Sequence, residues 1–299
     1  MFLPHQRKNV QAASLSLWAM IEGRRAPMVL KYQEQESAVL KSEPDVPLDN
    51  VYIVGCSGFI YTAPSIVSEE TRPPSAALIV SAGSAPFRVS VKGKKQSARA
   101  AVVPPFLARG LDARDVPLVC FHITPSSPHY AAFRALAHGR IALLERSCFQ
   151  HLDAQLDALY QGCLAPALAP DIYQQALRIP FQHLTPRSRL DPREPLIREL
   201  LENGRDLTLT DLARELGTSY FWASRLMTEV FGMSFRDYKS WQKLQRVFHL
   251  LHSDRSITEI AHAAGFTDSA HLSRTYQRWF GQPPSYSRNR NNVRVMRCG

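Results

Sequence analysis

Cysteine is scarce in this chain, and what there is lies scattered. Cys56, Cys120, Cys148, Cys163 and Cys298 are five in 299 residues, an odd number with no CxxC pair and no histidine at metal-ligand spacing. That pattern excludes a disulfide scaffold or a zinc module and predicts reduced thiols in a cytoplasmic protein. Long apolar runs are missing too: none approaches the ~20 residues of a membrane span. The opening MFLPHQRKN has neither the apolar core nor the cleavage site of a secretory signal. No membrane partner is expected. The catalytic signatures GxSxG, GxxxxGK[ST] and HExxH are all absent. His122 stands alone on its predicted strand, and His129 and His138 fall in a helical stretch, so no two histidines converge with a carboxylate on one ion. No enzymatic activity, cofactor or metal is expected.

What is present is an excess of positive charge and a repeat. The formal net charge is +10, which favours acidic partners. From Gly217 onward twelve Lys or Arg face five Asp or Glu, so most of the excess sits in the last third of the chain. That third writes one pattern twice. TLTDLARELGTSYFWASRLMTEVFG runs from Thr208 to Gly232, and SITEIAHAAGFTDSAHLSRTYQRWFG from Ser256 to Gly281. Leu212-Ala213 returns as Ile260-Ala261, Gly217 as Gly265, Ser224-Arg225 as Ser273-Arg274, and Phe231-Gly232 as Phe280-Gly281.

Each copy opens with a hydroxyl three residues before a carboxylate, Thr208 with Asp211 and Ser256 with Glu259, which caps a first helical turn reciprocally. A short helix then meets a glycine able to take positive φ, and Ser219 or Asp268 caps a second helix. That order is a helix-turn-helix whose second helix enters a DNA major groove. Between the copies Phe235, Tyr238, Trp241, Leu244, Val247, Phe248 and Leu251 recur at steps of three and four, predicting a long helix across Ser234 to Ser253. Twenty helical residues span roughly 30 Å, close to the ~34 Å between major-groove segments on one face of B-DNA.

The stretch from Thr208 to Arg288 resembles the DNA-binding domain of the AraC/XylS family of bacterial transcription regulators. The matching residues are Leu212-Ala213, Gly217, Ser219, Ser224-Arg225, Phe231-Gly232, Tyr238, Leu250-Leu251, Ile257, Ile260-Ala261, Gly265-Phe266, Leu272-Ser273-Arg274, Phe280-Gly281, Pro284 and Arg288. Ala223, Met227, Lys243 and Ser287 depart from the family pattern, mostly in the first copy and the segment after it. The resemblance implies double-stranded promoter DNA and RNA polymerase as partners and favours activation. By the three-and-four rule, base reading falls on Phe221, Ser224 and Arg225 of the first copy and on Ser269, Ala270, Ser273 and Arg274 of the second, with His271 reaching a base or phosphate. The competing reading of Arg225 and Arg274 pairs each with a nearby acid. Lys239, Lys243 and Arg278 are expected on phosphates.

Ahead of the repeat the texture is β. Val51 to Ala63, Ala76 to Gly83, the alternating Phe87, Val89 and Val91 before a turn at Gly93, and Val116 to Thr124 predict short strands. They resemble the cupin-like sensor half of many AraC-type regulators. Helical spacing follows from Pro128, with Leu152, Leu156, Leu159 and Cys163 forming a stripe that fits a core or a homodimer interface equally. Leu15 to Ile21 reads as a short helix or arm.

At 299 residues the chain has room for two domains. The expected fold class is α+β: a β-rich, cupin-like half-barrel with following helices, then an all-α domain of two helix-turn-helix motifs joined by a long helix. The expected domains are an N-terminal sensor or dimerisation domain (1–180), a Pro-rich linker (181–195), the DNA-binding domain (196–290) and a basic tail (291–299). The function expected is sequence-specific transcription regulation, with room for a small-molecule effector. The rivals are a cupin-type small-molecule enzyme carrying a nucleic-acid-binding module and a sequence-indifferent architectural DNA binder.

Overall fold

The computed structural model describes residues 48–298 apart from 56, 187–189 and 204–205. The expected segment Leu15 to Ile21 and Cys56 lie outside the described residues. The strands are β1 (Asp49–Val54), β2 (Gly58–Ala63), β3 (Ile66–Thr71), β4 (Ala76–Ser81), β5 (Phe87–Val91), β6 (Lys94–Ala98), β7 (Ala100–Val103), β8 (Arg109–Ala113), β9 (Leu118–Ile123), β10 (Ala142–Leu144) and β11 (Val293–Cys298). They form a seven-stranded sheet ordered β10-β7-β4-β9-β2-β1-β11 and a four-stranded sheet ordered β3-β8-β5-β6.

Period-two burial explains how both sheets are held. Along β4, Ala77 and Ile79 join Phe87, Val89 and Leu111 between the sheets, while Ala76, Leu78 and Val80 face the helices. A strand covered on both faces is a continuous apolar run, as AALIV is. β5 alternates instead, and its turn into β6 uses Lys92 and Gly93, with φ +49° and +75°, so both central residues are left-handed, as a tight hairpin turn requires.

The helices are α1 (Tyr130–Ala137), α2 (Asp153–Gln161) and α3 (Ala169–His183), then α4 (Glu194–Glu202), α5 (Leu209–Glu215), α6 (Tyr220–Leu226), α7 (Phe235–Leu250), α8 (Ile257–Ala264), α9 (Ser269–Phe280) and α10 (Pro284–Arg288). A 3-10 turn, Arg146–Leu152, leads into α2. Leu152, Leu156 and Leu159 are fully buried against the large sheet, so the stripe is core. It breaks before Cys163, which is exposed, because Gly162 ends α2 at φ +70°.

Two findings go beyond the sequence reading. Residues expected as a basic tail carry β11, which pairs in parallel with β1 from Asp49↔Val293 to Val54↔Cys298. The apolar core is also continuous across the Pro-rich segment: Ile197, Leu201, Leu212, Leu226, Met227, Val230, Phe231 and Tyr238 share one cluster with the large sheet and α1 to α3. The second copy has its own core of Trp241, Leu244, Ile260, Phe266, Leu272 and Trp279.

Candidate nucleic-acid interface

Both helix-turn-helix units are built by their own local chemistry. Thr208 and Asp211 cap α5 reciprocally, and Ser256 and Glu259 cap α8. The Thr208 hydroxyl and backbone N–H both donate to Asp211 and hold its carboxyl below the usual range. The Ser256 N–H and hydroxyl do the same for Glu259. These caps stay charged at neutral pH. Gly217 and Gly265 sit at φ +60° and +90°, turning the chain between the paired helices. The Trp222 N–H donates to Ser219 Oγ at 3.2 Å at the start of α6, and the His271 N–H to Asp268 Oδ1 at 2.6 Å at the start of α9.

The buried faces fix which side of each second helix is free. Ala223 and Leu226 turn α6 inward, and Leu272, Thr275, Tyr276 and Trp279 turn α9 inward. Phe221, Arg225, Ala270 and Arg274 are exposed, and Ser224, Ser269, His271 and Ser273 are half-buried beside them. The residues picked from sequence on each helix therefore share its free side. Their polar partners differ. Arg225 Nε donates to Glu229 Oε1 at 2.6 Å, with its guanidinium 5.6 Å from the Trp222 ring, which is the acid pairing weighed above. Arg274 makes no ion pair among the described residues, although its charge helps the His271 N–H hold Asp268 low. The His271 ring packs edge-on against Phe266 at 5.2 Å.

The cations expected on phosphate are engaged in part. Lys239 pairs with Asp206, Lys243 lies 5.7 Å from the Phe266 ring, and Arg278 approaches Asp237 at 3.9 Å. Sequence reasoning passed over Tyr220 and Trp222, which are exposed beside Phe221. The signal was available: three consecutive helical residues turn through about 200°, so three aromatics in a row cannot all face one core.

The helix-turn-helix units are docked on the β-rich half near the glycine that ends each copy. Arg134 Nη2 on α1 donates to Glu229 O at 2.9 Å and Val230 O at 2.7 Å, carbonyls of the π turn Met227–Phe231 that follows α6. Gly232 lies against that guanidinium. At the second copy, Arg72 N–H donates to Arg278 O at 3.1 Å, and Gly281 lies against Thr71 and Ser68 of β3. Midway, Gln245 Nε2 donates to Ser126 Oγ at 2.9 Å. Tyr286 and Tyr61 both donate to Asp49 Oδ2, whose carboxyl burial pushes above its ordinary value. Ser287, a departure from the family pattern, accepts from the Tyr276 hydroxyl at 2.9 Å.

The half-barrel contains no metal site among the described residues. His122 Nδ1 lies 3.1 Å from Ser75 Oγ, and its ring stacks on Phe59. Burial, then the charge of Arg109, pulls it down to about 3, so it stays neutral at its half-buried place on β9. No helix among the described residues is long and apolar enough to cross a membrane.

A family model described as a helix-turn-helix domain matches residues 212–290. The HTH-type transcriptional regulator ExsA of Pseudomonas aeruginosa is 37% identical over 84 residues, 27% of this chain and 29% of that protein. The virulence regulon transcriptional activator VirF of Yersinia enterocolitica is 30% identical over 184 residues, 59% of this chain and 61% of that protein. The chain thus spans less than two thirds of the length of these relatives. The crystal structure of ToxT from Vibrio cholerae O395 is similar at a TM-score of 0.47 and 12% identity, covering 77% of this chain and 95% of that one. The two capped units in tandem and the long helix between them coincide with that match, so residues 212–290 are similar to the helix-turn-helix domain the family model describes.

Proposed function

We propose that this chain is a sequence-specific transcription regulator that binds promoter DNA through residues 196–290, with residues 1–180 serving effector response or dimerisation and 181–195 joining them. The observation that carries this is the pair of capped units whose second helices each bury one side and leave the other free. On that reading Phe221, Ser224 and Arg225 on α6, and Ser269, Ala270, His271, Ser273 and Arg274 on α9, meet base edges. Lys239, Lys243 and Arg278 meet phosphates, and Lys239 and Arg278 exchange a carboxylate for a phosphate oxygen when they do. Activation is the proposed sign, since a relative of similar sequence is named a transcriptional activator, and RNA polymerase is then the proposed second partner.

The test is a mobility-shift titration of the full-length chain on candidate promoter fragments and on random duplex between roughly 50 and 200 mM salt. Affinity should fall steeply with salt, because Lys and Arg release counterions from phosphate, and promoter should outcompete random duplex. Absent or salt-insensitive binding sinks the proposal. Equal affinity for both duplexes would make the chain an architectural binder instead.

A further inference from the structure

The two reading helices begin with opposite chemistry. α6 opens with Tyr220, Phe221 and Trp222, which are 56%, 87% and 49% exposed. At the same three places of the repeat α9 carries Ser269, Ala270 and His271. The difference extends one turn further. Arg225 is held by Glu229 and stacked on Trp222, whereas its counterpart Arg274 is exposed and forms no ion pair among the described residues. The first copy has thus tied up its long polar donor and put an apolar ring in front of it. The second has cleared the way for its donor with small side chains.

The major groove offers matching chemistry. Thymine presents a C5 methyl there, the one apolar group on a base edge, and guanine presents the O6 and N7 acceptors that a guanidinium grips together. The N-terminal residues of a second helix are the ones that reach base edges, and the aromatic run occupies that end of α6. We infer that the operator has two chemically different halves: α6 reads thymine through methyl contact with the Phe221 ring, flanked by Tyr220, and α9 reads guanine through Arg274. This rests on the regulator reading above. It makes Phe221 the specificity-determining residue of the first half-site. Trp222 acts through Arg225, holding that guanidinium beside Glu229 on the helix, so that Arg225 meets a base edge only by giving up this pairing and contributes less to reading than Phe221.

The experiment uses the full-length chain and a duplex selected by it from a randomised pool. Each thymine of that duplex is replaced in turn by deoxyuridine, which removes the methyl and leaves base pairing intact. Deoxyuridine at one or two positions of one half should weaken wild-type binding roughly 3- to 5-fold each, the effect of one methyl returned to water. Phe221→Ala, at a side chain that supports no core, should weaken binding to the thymine duplex by at least that factor and be indifferent to deoxyuridine at the same positions. Arg274→Ala should keep the deoxyuridine effect and lose preference at a guanine in the other half. If the wild type selects no duplex at all, the regulator reading fails. If it selects one but deoxyuridine has no effect, or Phe221→Ala keeps the deoxyuridine effect, the methyl-reading proposal is overturned while the regulator reading stands. Phe221→Ala that binds normally but loses transcriptional output also overturns it, and makes the aromatic run a protein-docking surface.

Discussion

Replacing Gly232 by alanine tests how firmly the first reading unit is fixed to the β-rich half. Gly232 has φ +76°, and a Cβ there would run into the Arg134 guanidinium, lying only 2.7 Å from its Cδ. Gly217 is the matched control, since it has φ +60° and a Cβ there would meet nothing within 4 Å. Left-handed backbone costs an L residue about 1–2 kcal/mol, and that applies at both positions. Only at Gly232 must Arg134 also move, giving up its hydrogen bonds to the Glu229 and Val230 carbonyls. Bonds to a charged donor are worth about 1.5–3 kcal/mol each when shielded, so with the Glu229 contact exposed the pair is worth about 2–3 kcal/mol. Gly232→Ala should therefore cost about 3–5 kcal/mol and Gly217→Ala about 1–2 kcal/mol.

Urea unfolding of the two single variants measures the difference, and repeating both in an Arg134→Ala background assigns it. There the cost of Gly232→Ala should fall to that of Gly217→Ala, because the clash and the carbonyl bonds are already gone. Equal costs in the wild type, or a Gly232→Ala cost unchanged by removing Arg134, would refute the docking argument.

Three further outcomes follow from the same contacts. Leu156→Glu with Leu159→Glu places two charges in a sealed core and should abolish cooperative melting; a folded protein of altered oligomeric state in sedimentation would overturn the core reading. Burial raises the Asp49 carboxyl against the opposing hydroxyls of Tyr61 and Tyr286, so its contribution to stability is complete below the ordinary carboxylate range and is lost as pH rises through the raised folded value. Asp49→Asn should accordingly raise Tm near pH 7 by calorimetry, with the gain shrinking towards about pH 4, and a gain that grows on acidification contradicts it. Arg274→Ala should cost roughly 1–3 kcal/mol and relax one base pair, while Lys243→Ala weakens all duplexes alike; the reverse pattern across single-base operator changes would exchange their roles.

What the sequence made legible is what local chemistry decides. The caps at Thr208, Ser219, Ser256 and Asp268 act over three residues, and Gly217 and Gly265 need only their own φ, so motif and register could be read directly. The Arg225 to Glu229 pair was also local, four residues apart on one helix. The joining helix shows where periodicity misleads. Its apolar spacing continues to Leu251, which is buried, yet the helix ends at Leu250. Spacing reports which residues are covered, and cover extends past the last turn. β11 was illegible for another reason. VRVMRC carries two arginines and reads as a basic tail, and its pairing depends on β1, more than 230 residues earlier in the chain. Both arginines are exposed on the outermost strand, where charge discourages a further strand from adding.

The shorter joining helix changes what sets the distance between the reading units. Sixteen residues span about 24 Å, well short of the ~34 Å between major-groove segments on one face of a duplex. A rod of that length does not fix the spacing by itself. The remaining constraint comes from the β-rich half, which holds the first unit through Arg134 at Gly232, the joining helix through Ser126 at Gln245, and the second unit through Arg72 and Thr71 at Arg278 and Gly281. These anchors lie on α1, on the loop before it and at the end of β3, and the sheet closes on the second unit again through β11 and the Tyr286 to Asp49 bond. The repeat supplies two helix-turn-helix units alike in build and unlike in surface chemistry, but their separation is a property of the whole chain. Loosening α1 therefore acts on the unit that carries Phe221, and loosening the end of β3 acts on the unit that carries Arg274, each with the other anchor still in place.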